Sequence, residues 1–296
     1  MKPAWALALH GGAGVKPGRD YTRAEAFLAE LIRSGAAALA DGVPALEVVQ
    51  TCTMKLEASG LYVAGRGSAP NRWGEVELDA ALMDGRTGRA GAVSALQGIA
   101  SPIHCARAVM DRSSHVLLTG KGATDFALAH GMEAIVDLDQ WLTEPDGFDP
   151  SDLDDGHGTV GAVALDLNGH LAAATSTGGT YGALPGRVGD TPLIGAGVWA
   201  DDRVAMSCTG KGEAFVRACA AHDVAARIRY GGASPTEAAE AVLVRVEAFD
   251  GDGGLIAITA EGEIITPFNT PGMKRAWASA GAPAMVGVGK SARTIG

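Results

Sequence analysis

Gly158-Thr159-Val160-Gly161-Ala162-Val163-Ala164-Leu165-Asp166-Leu167-Asn168-Gly169-His170-Leu171-Ala172-Ala173-Ala174-Thr175-Ser176-Thr177-Gly178-Gly179 carries the strongest local signal in the chain. Two runs of apolar and small residues, Val160 to Leu167 and His170 to Ser176, flank Asn168-Gly169. Asn-Gly between apolar runs is the preferred two-residue type I′ hairpin turn. Both faces of both runs are apolar or small, so the hairpin is expected to be buried on both sides. A two-residue turn pairs Leu167 with His170, Val160 with Thr177 and Thr159 with Gly178. Thr159 and Thr177 then lie one ladder step apart at the open end of a buried hairpin.

The segment entering Thr159 has a different composition. Thr143 to Gly158 holds six acids, two prolines and three glycines with no Lys or Arg. It reads as a solvated, mobile linker. Outward from there, Ala4 to Leu9 reads as a buried strand ending in a His10–Gly14 turn. Thr22 to Glu25 forms a capping-box pattern ahead of a helix from Ala24 to Asp41. Pro44 to Ser59 is a second helix. Val76 to Met83 and Ala90 to Leu96 read as paired strands. Ser101-Pro102 opens a helix to Arg112, His115 to Thr119 is a strand, and Ala123 to His130 a helix. Beyond the hairpin, Gly212 to Ile228 is helical, Ser234 to Glu237 caps a helix to Phe249, and Leu255 to Thr259 with Glu263 to Phe268 forms a last hairpin. Strands and helices come in blocks, which favours stacked layers.

The 296 residues are 47% hydrophobic and 20% charged, the composition of a soluble globular chain. Glycine, at 42 residues, is about twice its usual frequency and points to tight turns and close backbone approach. A net charge of −10 argues against nucleic acid or an anionic membrane as partner. Cys52, Cys105, Cys208 and Cys219 have no metal-ligand spacing and read as free thiols of a cytoplasmic protein. No apolar stretch is long enough to cross a membrane, and Trp5 to Leu9 is too short for a signal sequence. The seven histidines lack catalytic-metal spacing. Ala284 to Ser291 fits a relaxed phosphate-loop pattern, but the five residues after Ser291 cannot supply its helix.

Two hydroxyls at a strand head behind a flexible linker have a chemical use. A threonine hydroxyl needs a base, and a free α-amine on the same residue, with a reference pKa of roughly 7.7–8.0, can be that base. Freeing it requires a cut between Gly158 and Thr159. Three motifs, His10 to Gly14, Gly158 to Asp166 and Thr175 to Gly179, resemble the plant-type L-asparaginase/isoaspartyl peptidase family of N-terminal-nucleophile (Ntn) hydrolases. Leu184 to Asp190, Cys208-Thr209-Gly210 and Pro267 to Thr270 extend the match from about Ala4 to Ala278.

The resemblance implies one α/β domain over 1–296, a four-layer αββα sandwich. It implies autocatalytic cleavage into an α subunit, 1–158, and a β subunit, 159–296, paired as a dimer of αβ units. Thr159 would be the nucleophile, with Thr177 bonded to its hydroxyl or amine. Thr209 and the Gly210 amide would form the oxyanion hole. Arg187 would clamp the substrate α-carboxylate and Asp190 the α-ammonium, with Thr209 to Gly212 lining the pocket. The implied activity is hydrolysis of β-aspartyl dipeptides and L-asparagine, with no catalytic cofactor. A structural sodium loop would fall on Leu56, Glu57, Gly60, Tyr62 and Val63. Two departures stand out. Val63 replaces the family's Asn, for which Asn71 is a candidate substitute. Lys211 replaces a Thr and is expected to attract a carboxylate on the leaving group. A glycosylasparaginase and an uncleaved ligand-binding module are the alternatives.

Overall fold

The computed structural model describes residues 4–149 and 158–295. Thirteen strands form two sheets among these residues. The larger is built from β1 (Ala6–Ala13), β2 (Leu78–Asp84), β3 (Ala90–Leu96), β4 (Leu117–Thr119), β5 (Val160–Leu165), β6 (Leu171–Thr177), β11 (Met273–Ser279), β12 (Ala284–Gly287) and β13 (Arg293–Ile295). Its order is β13-β12-β11-β1-β5-β6-β2-β3-β4. The smaller holds β7 (Val198–Ala200), β8 (Val204–Gly210), β9 (Gly253–Thr259) and β10 (Ile264–Ile265), ordered β10-β9-β8-β7.

Helices α1 (Thr22–Ala40), α2 (Ala45–Ser59) and α3 (Pro102–Arg112) cover the outer face of the large sheet, where Leu28, Ile32, Leu56 and Ile103 are fully buried. Two further helices, α4 (Gly120–Ala129) and the single turn α5 (Leu138–Trp141), flank that layer. On the far side, α6 (Gly212–Ala218), α7 (Ala220–Arg229) and α8 (Pro235–Glu247) pack on the small sheet around Phe215 and Val242. Ala8, Val163, Ala173, Ala205 and Ile256 fill the space between the sheets with small side chains. Three separate apolar layers make this a four-layer αββα sandwich.

The β5–β6 hairpin forms, with a register shifted by one residue from the one the Asn-Gly turn predicts. Val160 pairs with Ser176 and Leu165 with Leu171. The cause is Asp166. Its backbone N–H donates to His170 O, and its Oδ1 accepts the N–H groups of Asn168 and His170. The loop is therefore the three residues Leu167 to Gly169, with Gly169 left-handed at φ 78. Asp166 Oδ2 also accepts the Ala45 N–H at the start of α2, where a carboxylate is favoured. One residue upstream of Val160↔Ser176, this register sets Thr159 opposite Thr177 instead of diagonal to it.

Other elements correct the sequence reading. β1 runs through His10-Gly11-Gly12 as strand, with a bulge against β11 between His10 and Ala13. Gly11 makes room for the Tyr62 ring. The Thr22 capping box is not made. Tyr21 occupies the cap position, and Asp146 Oδ2 accepts the Ala24 N–H from a distant loop. The Ser234 box is made on both sides. The helix beyond Gly212 breaks at Cys219, φ 47, into α6 and α7. The Leu255–Phe268 hairpin is not the last, because β11 to β13 follow it and complete the large sheet. In the acidic linker, Thr143 and Asp146 are hydrogen-bonded to Arg66 O and Leu61 O, so its first part is seated. Residues 150–157, including His157, lie outside the described residues. No helix among the described residues is long and apolar enough to cross a membrane.

Candidate active site

Strand ends place the three threonines together. Thr159 enters β5, Thr177 ends β6, and Thr209 lies next to the end of β8 in the opposing sheet. The Ala13 N–H donates to Thr209 Oγ1 at 3.1 Å, joining the sheets at the end of β1. All three threonines are buried. Gly12, φ 99, backs onto the same point: a Cβ there would sit 3.4 Å from Gly158 Cα, Thr159 N and Thr159 O. The left-handed φ, and not crowding, accounts for glycine at position 12.

The Thr177 hydroxyl donates to the Gly158 carbonyl at 2.7 Å and accepts the Gly179 N–H at 3.2 Å. Its partner is thus the carbonyl of the Gly158–Thr159 peptide, where the sequence reading placed the Thr159 hydroxyl or amine. A donor on that oxygen polarises the bond a Thr159 nucleophile would attack. Asn71 does not stand in for the missing Asn. Its amide donates to Glu77 Oε2, and its Oδ1 accepts the Trp73 and Glu75 N–H groups within its own loop.

Arg187 and Asp190 come together with two acids that the sequence reading did not single out. Arg187 Nε and Nη2 donate to both carboxylate oxygens of Glu213, at 2.8 and 2.9 Å. Asp190 is buried, and its Oδ2 has no hydrogen-bond partner among the described residues. Asp79, on β2, is buried and accepts the Ala95 N–H. Gly212 is a close neighbour: a Cβ there would fall 3.0 Å from Arg187 Nη2 and 3.1 Å from Asp190 N. Burial pushes Asp190 up to about 7, with Arg187 pulling the other way. Burial raises Asp79 to about 7 as well. The site thus sets a guanidinium already held by Glu213 beside a buried carboxylate oxygen that has no hydrogen-bond partner among the described residues. Lys211 Nζ donates to Asp250 O, and its side chain lines an open groove of about 680 Å3 shared with Arg187, Leu184 and Glu213.

Beneath the threonines runs a buried polar chain that sequence patterns did not reveal. His10 Nε2 bonds Ser207 Oγ at 2.8 Å, and Ser207 Oγ bonds Thr175 Oγ1 at 2.7 Å. Burial pushes the imidazole down to about 3, against a smaller pull from the Thr159 backbone. His10 is therefore neutral and ties β1 and β6 to β8.

Glu57 does not aim into its loop. Its carboxylate accepts the Ser101 hydroxyl and the Ile103 N–H at the start of α3, and burial raises it to about 7. The backbone around it behaves differently. The carbonyl oxygens of Glu57, Gly60 and Tyr62 crowd Gly65 and Gly67 so closely that a Cβ on either glycine would collide with them. Gly60 O also accepts the Thr143 hydroxyl, and Tyr62 O accepts the Ala64 N–H. No cluster of three or more His, Cys, Asp or Glu with metal-holding geometry occurs among the described residues.

Three buried acids, Glu57, Asp79 and Asp190, thus hold protons more tightly folded than unfolded. Their stabilising contribution is complete below the unfolded values of 4.5 and 3.8 and is lost as pH rises towards about 7. The midpoint of thermal unfolding is expected to fall by about 5 °C between pH 5.5 and 8. Glu57→Gln and Asp79→Asn should each flatten that slope. A midpoint rising over this range contradicts the assignment.

Facing sheets between helix layers, with a threonine at the head of a central strand, define the architecture of the Ntn hydrolases. The asparaginase family profile matches residues 3–147 and 141–288, and the chain belongs to that family. It is 44% identical to the isoaspartyl peptidase of Escherichia coli (strain K12), over 95% of each chain. It is 40% identical to the plant-type L-asparaginase of Pyrobaculum calidifontis, over 93% of this chain and 97% of that one. Identity to the isoaspartyl peptidase/L-asparaginase of Danio rerio is 38%, over 93% and 91%.

Proposed function

We propose that this chain is a self-processing amidohydrolase that cuts β-aspartyl dipeptides, and more slowly L-asparagine, releasing L-aspartate through an acyl-Thr159 intermediate. The observation that carries this reading is the Thr177 hydroxyl on the Gly158 carbonyl, one residue from a buried Thr159.

Maturation begins when Thr159 Oγ1 bonds to the Gly158 carbonyl carbon. Its proton passes to the Thr159 nitrogen as the C–N bond breaks. Water then hydrolyses the resulting ester, leaving the Gly158 carboxylate on an α subunit, 1–158, and a free α-amine on a β subunit, 159–296. In turnover that amine takes the Thr159 hydroxyl proton. The hydroxyl attacks the substrate β-carbonyl, the leaving amine takes the proton, and water releases aspartate. Thr209 and the Gly210 N–H would stabilise the charge on the attacked oxygen. Arg187 and Asp190 would hold the substrate's carboxylate and ammonium, and Lys211 would draw a carboxylate on the leaving residue.

A sodium ion would be held by the carbonyls of Glu57, Gly60 and Tyr62, where it would stiffen the loop before Val63. The αβ units would pair as dimers. Free thiols at all four cysteines suit a cytoplasmic enzyme.

The test is an intact-mass spectrum with an aspartate-release assay on a β-aspartyl dipeptide. The expected result is two fragments divided between Gly158 and Thr159, with release tracking their appearance. A persistent 30 kDa chain after long incubation would leave Thr159 without its base and overturn the reading.

A further inference from the structure

Val63 lies directly against the peptide that self-processing would cut. A Cβ added to Gly158 would fall 2.6 Å from Val63 Cγ2 and closer still to Val63 Cβ. The Val63 side chain therefore rests on the Gly158 Cα with no room between them. Behind the same peptide stands Gly12, and on the carbonyl stands the Thr177 hydroxyl. The peptide is held from two directions, by a hydrogen-bond donor and an apolar wedge.

The wedge is fixed relative to the donor. The Gly178 N–H donates to Val63 O at 3.0 Å, and Gly178 follows Thr177 directly. One hydrogen bond thus fixes the loop of Val63 to the strand end of Thr177, while Thr177 reaches across to the peptide that Val63 presses on. A β-branched side chain is stiff at χ1, so valine transmits this placement where a linear side chain would yield. Val63 and Gly158 also share the wall of a cavity of about 60 Å3. Truncating the valine would enlarge that space and let the Gly158 carbon retreat from Thr159.

We infer that Val63 is a positioning residue for self-cleavage, a rigid wedge that holds the Gly158 carbonyl in reach of the Thr159 hydroxyl and under the Thr177 donor. The inference rests on the self-processing reading. It makes position 63 part of the maturation machinery by shape and not by polarity, and it makes glycine at 158 a requirement that Val63 imposes. An attack geometry lost by a fraction of an ångström slows a positioned reaction by an order of magnitude or more.

The experiment follows precursor conversion by mass spectrometry, with thermal unfolding measured on each variant. Val63→Ala is expected to convert about tenfold more slowly than wild type. Val63→Thr, which keeps the branch, should match wild type within about twofold. Gly158→Ala should not convert, because its Cβ meets Val63. The pair Gly158→Ala with Val63→Gly should regain conversion, an effect a merely structural role would not produce. Val63→Ala converting at the wild-type rate overturns the inference, as does a double variant no faster than Gly158→Ala alone. A wild-type chain that stays whole overturns the self-processing reading and the inference with it, so the two failures are told apart by the wild-type sample.

Discussion

Thr159→Ala is expected to yield one uncut 30 kDa chain and hydrolysis of β-aspartyl dipeptides at the background rate. Both losses follow from one oxygen. In the precursor, Thr159 Oγ1 is the proposed attacking atom on the Gly158 carbonyl. In the mature protein the same oxygen would attack the substrate, with the α-amine created by the cut as its base. Losing a nucleophile that acts with its base as a unit costs at least about 10⁴-fold in turnover. Thr159→Ser keeps the oxygen and should still cut, more slowly, because serine loses the χ1 stiffness of a β-branched side chain. Thr177→Val keeps the shape but removes the donor on Gly158 O, and is expected to slow conversion by about 10²–10³-fold without abolishing it. This gradation, measured as time courses of intact mass, separates the nucleophile from the group that polarises its target. A cut between residues 158 and 159 in Thr159→Ala would remove Thr159 from the mechanism.

Much of this site is visible in the sequence because its residues sit beside strong local signals. Asn168-Gly169 announces a hairpin, and a hairpin brings Thr159 and Thr177 together however its turn closes. The one-residue error in register shows the limit of that logic. The Asp166 carboxylate captures the N–H groups of Asn168 and His170 at the turn and the N–H of Ala45 at the start of α2. The last of these is a tertiary contact that no turn preference encodes. The Thr22 capping box fails for the same kind of reason, since Asp146 reaches α1 from far along the chain. His10, Ser207 and Thr175 look unrelated until three strands from two sheets converge on them. Asp79 and Glu213 likewise acquire meaning only beside Arg187. The C-terminal strands are hard to read because β12 and β13 are short and because Lys274 and Arg275 break the apolar pattern of β11. Arg275 is buried, with Nη1 donating to the carbonyls of Met273 and Gly289 and Nη2 to that of Lys290.

Arg187→Ala is expected to lower kcat/KM for β-aspartyl dipeptides by roughly 10²- to 10³-fold, the cost of removing one partner from a buried charge constellation. Three carboxylates, Asp79, Asp190 and Glu213, act on this one guanidinium. Without it, Asp79 and Asp190 lose their nearest cation and bind protons still more tightly. Asp190 then no longer offers a charge to the substrate ammonium, so both halves of the receptor fail together. Arg187→Lys keeps the charge but cannot present a planar fork, and should lose about tenfold or more. The loss is expected chiefly in KM, because in the proposed role Arg187 would hold the unreacting end of the substrate equally in ground and transition states. Self-cleavage is expected to continue in both variants, since none of the contacts to the Gly158–Thr159 peptide involves Arg187. The pH dependence gives a second readout. Asp190 ionises near 7 in the free site, so KM should fall as pH rises through that value, and Asp190→Asn should raise KM and remove the trend. An Arg187→Ala enzyme with wild-type KM would place the substrate's carboxylate elsewhere, and the unpartnered Asp190 oxygen would then need a different ligand.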